Sequence, residues 1–396
     1  MNPLSPELKA TLYQTEIKKS IIEIQQAEWD SLDGSENILV SHGWLKTIEE
    51  CLIEKIRFEY ILLKNTETGK IEGAAVCHLS YPSKKIETLD NLIFGRLKGV
   101  FSMLRIRFLP AYVCHPPFSY GTHFLFSRHL DEASRIAVMG CLLDTIEKQA
   151  LLHRLPIAFI NALDTEKDLF LLLKKKRYLK GRQIPLNHMD VDWQTFDEYL
   201  DHLKTISRHM KKMVKKQINK NEREGVSIRA LGDSTDSEKK AYELLFLNHL
   251  KHNNRPFMFD KTYIQTLRKN LGDNAQITVA EKNSDIIGAN VLLQKKDTGY
   301  LMHIGIDQAK SKKDYTYFNL GYYRPIKQAI NEGTRMLYDG RGHYLLKARR
   351  GFRTKDLDFY YKPSNPVKSL MAGIWFPILA RWIRFSLPER KNGIRS

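Results

Sequence analysis

Three groups of side chains have the types and positions to do chemistry. His303 lies in the run GYLMHIGI, where strand alternation puts it on one face with Leu301 and Gly305. An imidazole there is either a buried structural residue or a base for an attacking amine. Asp339 closes the apolar run MLYDG, at the carboxyl end of a strand, where open α/β sheets place ligands. It is also suited to be the turn residue before Gly340. Lys347, Arg349 and Arg350 crowd one short helical stretch, which reads as a solvated face or as a cationic site for an anion. Tyr317, Phe318, Tyr322 and Tyr323 read as packing residues, with a tyrosine that protonates a leaving thiolate as the alternative.

Missing parts narrow the chemistry. The chain has no G-x-S-x-G elbow, no G-x-x-x-x-G-K-[ST] loop, no G-x-G-x-x-G and no H-E-x-x-H. Cys114 and His115 are adjacent, but neighbours on a loop rarely form a nucleophile–base pair. The 13 histidines show no metal-ligand spacing, so no metal is expected. What remains is direct attack of an amine on an activated acyl group. That reaction needs positioning, a donor for the oxyanion and a cationic site for a phosphate-bearing acyl donor.

Charge points the same way. Among 396 residues, 63 Lys+Arg face 45 Asp+Glu, a formal +18, which implies an anionic partner: nucleic acid, a phosphorylated cofactor, an acidic carrier or an anionic membrane. The densest basic segment, Lys204–Arg223, lies within a stretch whose apolar residues Leu200, Leu203, Ile206, Met210, Val214 and Ile218 recur at helical spacing. One buried stripe with Lys and Arg on the opposite face is expected, either solvated or a landing strip for phosphates. No RNP signature or zinc finger accompanies it, which argues against sequence-specific reading of nucleic acid. Four scattered cysteines without C-x-x-C exclude a disulfide framework, and the N-terminal MNPLSPELKATLYQTEIKK lacks a leader pattern, so a reducing cytoplasm is expected. The apolar stretch Ser369–Ala380 contains Pro377 and is too short for a span of about 20 residues.

The elements that must position these groups follow from periodicity. FEYILLK and IEGAAVCHLSY flank NTETG as a hairpin, and AQITVAEKNSDIIGANVLLQKK is a second one. Asp131–His153, Glu166–Lys176, Lys239–His252, Lys261–Leu271 and Tyr317–Glu332 read as helices. PIAFINA, QIPLNHMDV, MLYDG and LDFYYKP read as strands. Phe108–Ser127 carries no Asp, Glu, Lys or Arg, and its Pro and Gly forbid a continuous helix, so it is a buried wall or a ligand pocket. The hairpins share a strand–turn–Gly-Ala pattern, and LLKKKRYLKG at Leu172 matches LLKARRGFRT at Leu345. One supersecondary unit used twice explains both.

YFNLGYYRPIKQAINEGTRMLYDGRGHYLLKARRGF, with Gly333, Asp339, Gly340, Lys347, Gly351 and Phe352, resembles the closing part of the GNAT half of FemAB-like and BioF2-like acyltransferases. WDSL…ILVSHGWLKTIEE and the basic segment resemble other parts of the same family, up to about Pro366. The resemblance implies an α/β (α+β) fold of tandem duplicated GNAT-like domains, each a mixed central sheet flanked by helices. The expected halves are 1–192 and 193–365, followed by an amphipathic basic tail, 366–396.

The implied activity is transfer of an acyl or aminoacyl group to an amine acceptor. The donor would be acyl-CoA, an acyl carrier protein or aminoacyl-tRNA. Under it, His303 or Asp339 assists proton transfer, Lys347, Arg349, Arg350 and Gly351 with Tyr317 bind substrate or donor, and Lys347 and Arg350 line the main cleft. Simple GNAT enzymes carry a Q/R-x-x-G-x-G/A loop, absent from DQAKSKKDYTYFNLGYY here; Lys310, Lys312 and Lys313 could supply charge in its place. The alternative is a non-catalytic module that binds RNA or a carrier protein. LIFGRLKGVFSMLRIRFL and the tail, with Trp375, Phe376, Trp382 and Phe385 among Arg381, Arg384, Arg390 and Lys391, are expected to form one apolar face against an anionic membrane, with ordinary core packing as the alternative.

Overall fold

The computed structural model describes residues 12–386 except 87, 96–97, 104–106 and 254. The described residues form two compact units. The first comprises residues up to Glu49, Glu54–Ile184 and Asp356–Ser386; the second comprises Glu50–Ile53 and Pro185–Lys355.

In the first unit, β1 (Tyr13–Lys18), β2 (Arg57–Asn65), β3 (Ile71–Ser80) and β4 (Ala111–Cys114) pair antiparallel in that order, with β5 (Phe124–Phe126) also on β3. β6 (Ile157–Ala162) then pairs parallel with β4, after a crossover through the helix Glu132–Leu152. Phe58–Leu63 on β2 and Gly73–Leu79 on β3 are buried throughout. Both faces of these strands are covered, so they read as nearly continuous apolar runs, interrupted only by the buried Glu59 and His78. Val138, Leu142 and Ile146 of the crossover helix share this core with Tyr112 and Phe159. Each such side chain contributes about 1.5–3 kcal/mol. Asp131 fixes the start of that helix by accepting from the Ser134 amide at 2.8 Å.

The second unit repeats the order. β8 (Ser227–Ala230) leads to helices Thr235–Asn253 and Tyr263–Leu271, then to the antiparallel β9 (Ala275–Lys282), β10 (Asp285–Lys295) and β11 (Thr298–Ile306). A helix runs from Thr316 to Asn331 through a widened π turn at Asn319–Tyr323, and β12 (Met336–Arg341) returns parallel to β11. The fold is a duplicated α/β architecture, each repeat a mixed sheet with flanking helices.

The last strand of each repeat departs from a simple tandem. β7 (Leu179–Asp190) follows the first repeat, yet its end pairs with β12 of the second unit through Asp190↔Met336 and His188↔Tyr338. β13 (Arg353–Lys362) follows the second repeat, yet its end pairs with β6 of the first through Asp358↔Ala162 and Lys362↔Ile157. The units therefore divide inside strands, at 184/185 and 355/356, not at the expected 192 and 365. An uninterrupted strand leaves no linker composition to read.

Two further expectations change. The basic stretch is two helices, Phe196–Ile206 and Met210–Arg223, because Ser207 is extended (φ −159°, ψ 130°). Leu200, Leu203, Met210 and Val214 are buried, whereas Ile206, at the break, is 40% exposed. Residues 366–386 are not a separate tail: the helix Pro366–Ser386 belongs to the first unit, and its Phe376 packs on Phe359 (ring centroids 4.7 Å), Phe108 (5.4 Å) and Tyr361 (6.1 Å). Among the described residues no helix is long and apolar enough to cross a membrane.

Candidate active site

β11 and β12 pair only from Thr298↔Met336 to Tyr300↔Tyr338, although β11 continues to Ile306 and β12 to Arg341. One cause lies on β11's other edge. Its register with β10 slips between Val291↔His303 and Leu292↔Leu301, leaving Met302 extra. Such a bulge bends a strand. Gly305 keeps β11 against the helix Thr235–Asn253, since a Cβ there would overlap the Leu244 carbonyl and lie 2.6 Å from the Leu245 amide nitrogen. Beyond the last pair opens a cleft of about 580 Å³, lined by Leu301, His303 and Ile304 on one side and by Tyr317, Tyr322, Asp339 and Lys347 on the other. The π turn supplies Tyr322, and π turns inside helices recur at functional sites.

Asp339 and Lys347 form the charged floor. The Lys347 ammonium lies 3.3 Å from an Asp339 carboxylate oxygen and also donates to the Asp339 main-chain carbonyl. Their side chains are 16% and 6% exposed. Burial raises the Asp339 carboxyl to about 6, against the opposing pull of Lys347 and Tyr322. Burial lowers the Lys347 ammonium, opposed by Asp339. The Tyr322 hydroxyl is in hydrogen-bond contact with Asp339 and with Tyr317, and burial raises both phenols. Two titratable groups of opposite charge, each shifted toward neutrality and facing a cleft, can exchange a proton with a ligand.

His303 also lines the cleft, but its ring is held in an aromatic box of Phe257 (4.9 Å), Tyr263 (5.7 Å) and Phe259 (5.9 Å). Burial, with a smaller effect of His249, lowers it to about 3, and its buried Nε2 has no partner among the described residues. A neutral imidazole so reluctant to protonate is a poor acceptor for an amine proton at neutral pH.

Arg350 was expected in the cleft beside Lys347. The structure turns it away: its guanidinium lies 4.1 Å from the Phe318 ring centroid and 5.2 Å from that of Tyr322, and it donates to the Leu346 carbonyl at 2.9 Å. It is 3% exposed and absent from the cleft lining. This cation is spent on packing. Arg349 is exposed outside the lining. Gly351, at φ +87°, ends the short helix Tyr344–Ala348 in a conformation that L side chains rarely adopt. Arg177, at φ +61° before Tyr178, occupies the matching place in the first repeat.

Coenzyme A, the donor that a GNAT fold implies, requires a Gly-bearing loop whose free amides cradle a pyrophosphate at the helix start. The residues here do not fit it. Asp307–Thr316 contains no glycine. The Asp314 side chain, fully buried, already accepts from the Thr316 amide (2.9 Å) and hydroxyl (2.7 Å). Asn221 pins the same turn, donating to the Asp314 carbonyl at 3.0 Å and to the Thr316 hydroxyl at 3.1 Å. A carboxylate thus sits where a pyrophosphate would need the first-turn amides. Lys312 and Lys313 are exposed nearby, and Lys310 is paired with Asp285. Titration with acetyl-CoA in a calorimeter is accordingly expected to give no saturable heat below millimolar concentration; micromolar binding would contradict this reading of the loop.

The first unit has no matching cleft floor. β4 and β6 pair up to Cys114↔Phe159, and the left-handed Asn161 (φ 57°) corresponds to Gly340 (φ 48°), so Ile160 stands where Asp339 stands. The uncharged Phe108–Ser127 segment fills the gap between these strands. His123 Nε2 bonds the Ile160 carbonyl at 2.9 Å, the Gly121 amide donates to the Asn161 carbonyl at 2.9 Å, and Asn161 donates back to Ser119 at 2.9 Å. Both readings of this segment hold in part: Tyr112–His115 form a buried wall, whereas Thr122, Phe124 and Phe126 line a cavity of about 530 Å³ with Arg135 and Glu166. Among the described residues no group of three His, Cys, Asp or Glu could hold a metal ion.

Sequence reasoning thus named Asp339, Lys347, Tyr317 and His303, which the fold does bring to one cleft. It missed Tyr322 as a contact of Asp339, and Asp314, the residue before the N-cap Tyr315, as the acceptor of the helix's first amide. The D-Y-T triplet, an acid two residues before a Thr that starts a helix, was the available signal for this acceptor.

Residues 20–366 match the FemAB-like family, described as peptidoglycan biosynthesis/recognition. No curated protein matches by sequence. A crystal structure of FemX superposes with a TM-score of 0.56 at 12% identity, covering 90% of this chain and 100% of that one. The C-terminal domain of a protein named "Putative Lysylphosphatidylglycerol Synthetase" from Agrobacterium fabrum gives 0.51 at 10% identity, covering 91% and 93%. A conserved protein of unknown function from Bacteroides thetaiotaomicron gives 0.51 at 10%, covering 88% and 100%. At such identities the structures speak for the fold alone, and the family match supplies the class. A duplicated α/β chain matched over 20–366, the protein belongs to the FemAB-like family, and that membership supports a transferase of the acyltransferase kind.

Proposed function

We propose that the second-unit cleft transfers an aminoacyl group from an aminoacyl-tRNA to the amine of a peptidoglycan precursor. The carrying observation is the buried Asp339–Lys347 pair in the opening between β11 and β12, a pair the first repeat lacks. The capped loop at Asp314 argues against coenzyme A. The exposed Lys212, Lys216 and Arg223 on the helix Met210–Arg223 suit a polyanionic donor.

In this reaction the neutral acceptor amine attacks the ester carbonyl carbon. A C–N bond forms, and the C–O bond to the ribose breaks. Asp339 takes the proton from the nitrogen. Lys347 gives a proton to the departing ribose oxygen, and transfer from Asp339 to Lys347 across their ion pair restores both groups. The lowered Lys347 and raised Asp339 suit these roles, because proton transfer is most effective when acid and base lie near the working pH.

The test is a donor panel. With an amine-bearing muropeptide, aminoacyl-tRNA should release free tRNA faster with the protein than without it, whereas acetyl-CoA should release no thiol. Thiol release from acetyl-CoA with no tRNA release would refute the proposal. Tight tRNA binding without turnover on any acceptor would favour a non-catalytic RNA-binding module instead.

A further inference from the structure

We propose that the outward face of the helix Pro366–Ser386 docks on an anionic phospholipid surface. Val367, Leu370, Ile374, Ile378, Trp382 and Phe385 recur every three or four residues along it and are 51–68% exposed. The opposite face is committed to the first unit: Ala372, Phe376, Leu379 and Ile383 are at most 5% exposed. Trp375 also turns inward, meeting Phe101 edge-on at 4.7 Å between ring centroids and donating to the Ile93 carbonyl at 3.3 Å. The helix is therefore apolar on two faces, one packed and one presented to solvent. A contiguous apolar stripe of this kind marks an interaction surface.

Charge selects the occupant. From Pro366 to Ser386 there is no Asp or Glu, and the cations bracket the apolar middle: Lys368 at one end, Arg381 and Arg384 at the other. Arg381 and Arg384 are exposed beside Trp382. Their stems can lie along apolar surface while the guanidinium groups reach phosphates. Trp382 between two arginines and Phe385 beside the second, on a helix whose remaining exposed large apolar residues are aliphatic, is the composition of a helix lying in a headgroup plane. The sequence beyond Ser386 adds Arg390, Lys391 and Arg395 against Glu389. A face-to-face pairing with a second copy would oppose like charges on a chain of +18, whereas anionic headgroups complement them.

The expectation that this helix and LIFGRLKGVFSMLRIRFL form one exposed face changes accordingly. Phe94 and Phe101 pack against Trp375, while Met103, 85% exposed, and Arg107 stand out from the described part of that segment. Residues 96–97 and 104–106, like Arg390 and Lys391, lie outside the described residues. Because Phe376 anchors the helix in the core, deleting the helix would damage the fold, so the test alters only its outer face.

The full chain is sedimented with vesicles of phosphatidylcholine alone or with one quarter phosphatidylglycerol. Binding to the anionic vesicles is expected, weakened about tenfold or more on neutral vesicles or in 0.5 M salt. The variant Leu370→Asn, Ile374→Asn, Ile378→Asn should lose at least about tenfold in partitioning, with an unchanged circular dichroism spectrum. Arg381→Gln with Arg384→Gln should lose only the anionic preference. Failure of the wild-type chain to sediment with anionic vesicles would overturn the proposal, as would equal binding by the triple variant. A dimer without vesicles that the triple variant dissolves would assign the face to a second copy and overturn it too.

Discussion

Asp339→Asn should slow aminoacyl transfer by about 10²–10⁴-fold, the usual cost of removing a positioned proton acceptor, with tRNA binding unchanged. The asparagine keeps the shape of the side chain and cannot accept the proton. The pH profile carries the sharper signature. The raised carboxyl, at about 6, must be ionised to act, so the wild-type rate should rise with pH through about 6 and fall below it. That acid limb should vanish in Asp339→Asn. Lys347→Met removes the cation that favours the Asp339 carboxylate, so its residual activity should show the limb displaced to higher pH. A wild-type limb near 6 that persists in Asp339→Asn would assign it to another group.

Gly305→Ala should cost the second unit about 1–3 kcal/mol, the range for forcing a methyl into a packed interior. The new Cβ would meet main chain, the Leu244 carbonyl and the Leu245 amide, rather than a side chain that can swing aside. The helix it displaces carries Asn248, which donates to the Ile304 carbonyl in the cleft wall at 3.0 Å, so activity should fall together with stability. Gly373→Ala serves as the control, since nothing lies within 4 Å of a Cβ there; on an exposed helix position it should be neutral or slightly stabilising. Urea unfolding reads both variants. An unchanged midpoint for Gly305→Ala would show that the helix–strand approach is looser than drawn.

What could be read in the sequence divides along physical lines. β2, β3, β9, β10 and β11 announce themselves because strands covered on both faces, or alternating over a core, need apolar runs. The helix Glu132–Leu152 announces itself by its period. Asp339 and Lys347 were legible by position, one at a strand end and the other on the next helix. Arg350 was not, since its fate is decided by three aromatic rings 27–32 residues earlier in the chain, and a run of basic residues does not show which member turns inward. The break at Ser207 was hidden for a related reason: the apolar spacing continues through it, and only the extended backbone separates two helices. The crossing of β7 and β13 leaves no mark in composition, because each strand simply continues from one unit into the other.

The central claim is that an amide bond is made in the second-unit cleft with Asp339 taking the proton. It is tested most directly by mass spectrometry of an amine-bearing muropeptide after incubation with a mixture of aminoacyl-tRNAs and the protein at pH 7.5. The predicted result is an acceptor heavier by one aminoacyl residue with the wild-type chain, and about 10²-fold less of that product in the same time with Asp339→Asn. Equal product from the two proteins, or an acetylated acceptor formed from acetyl-CoA, would contradict it.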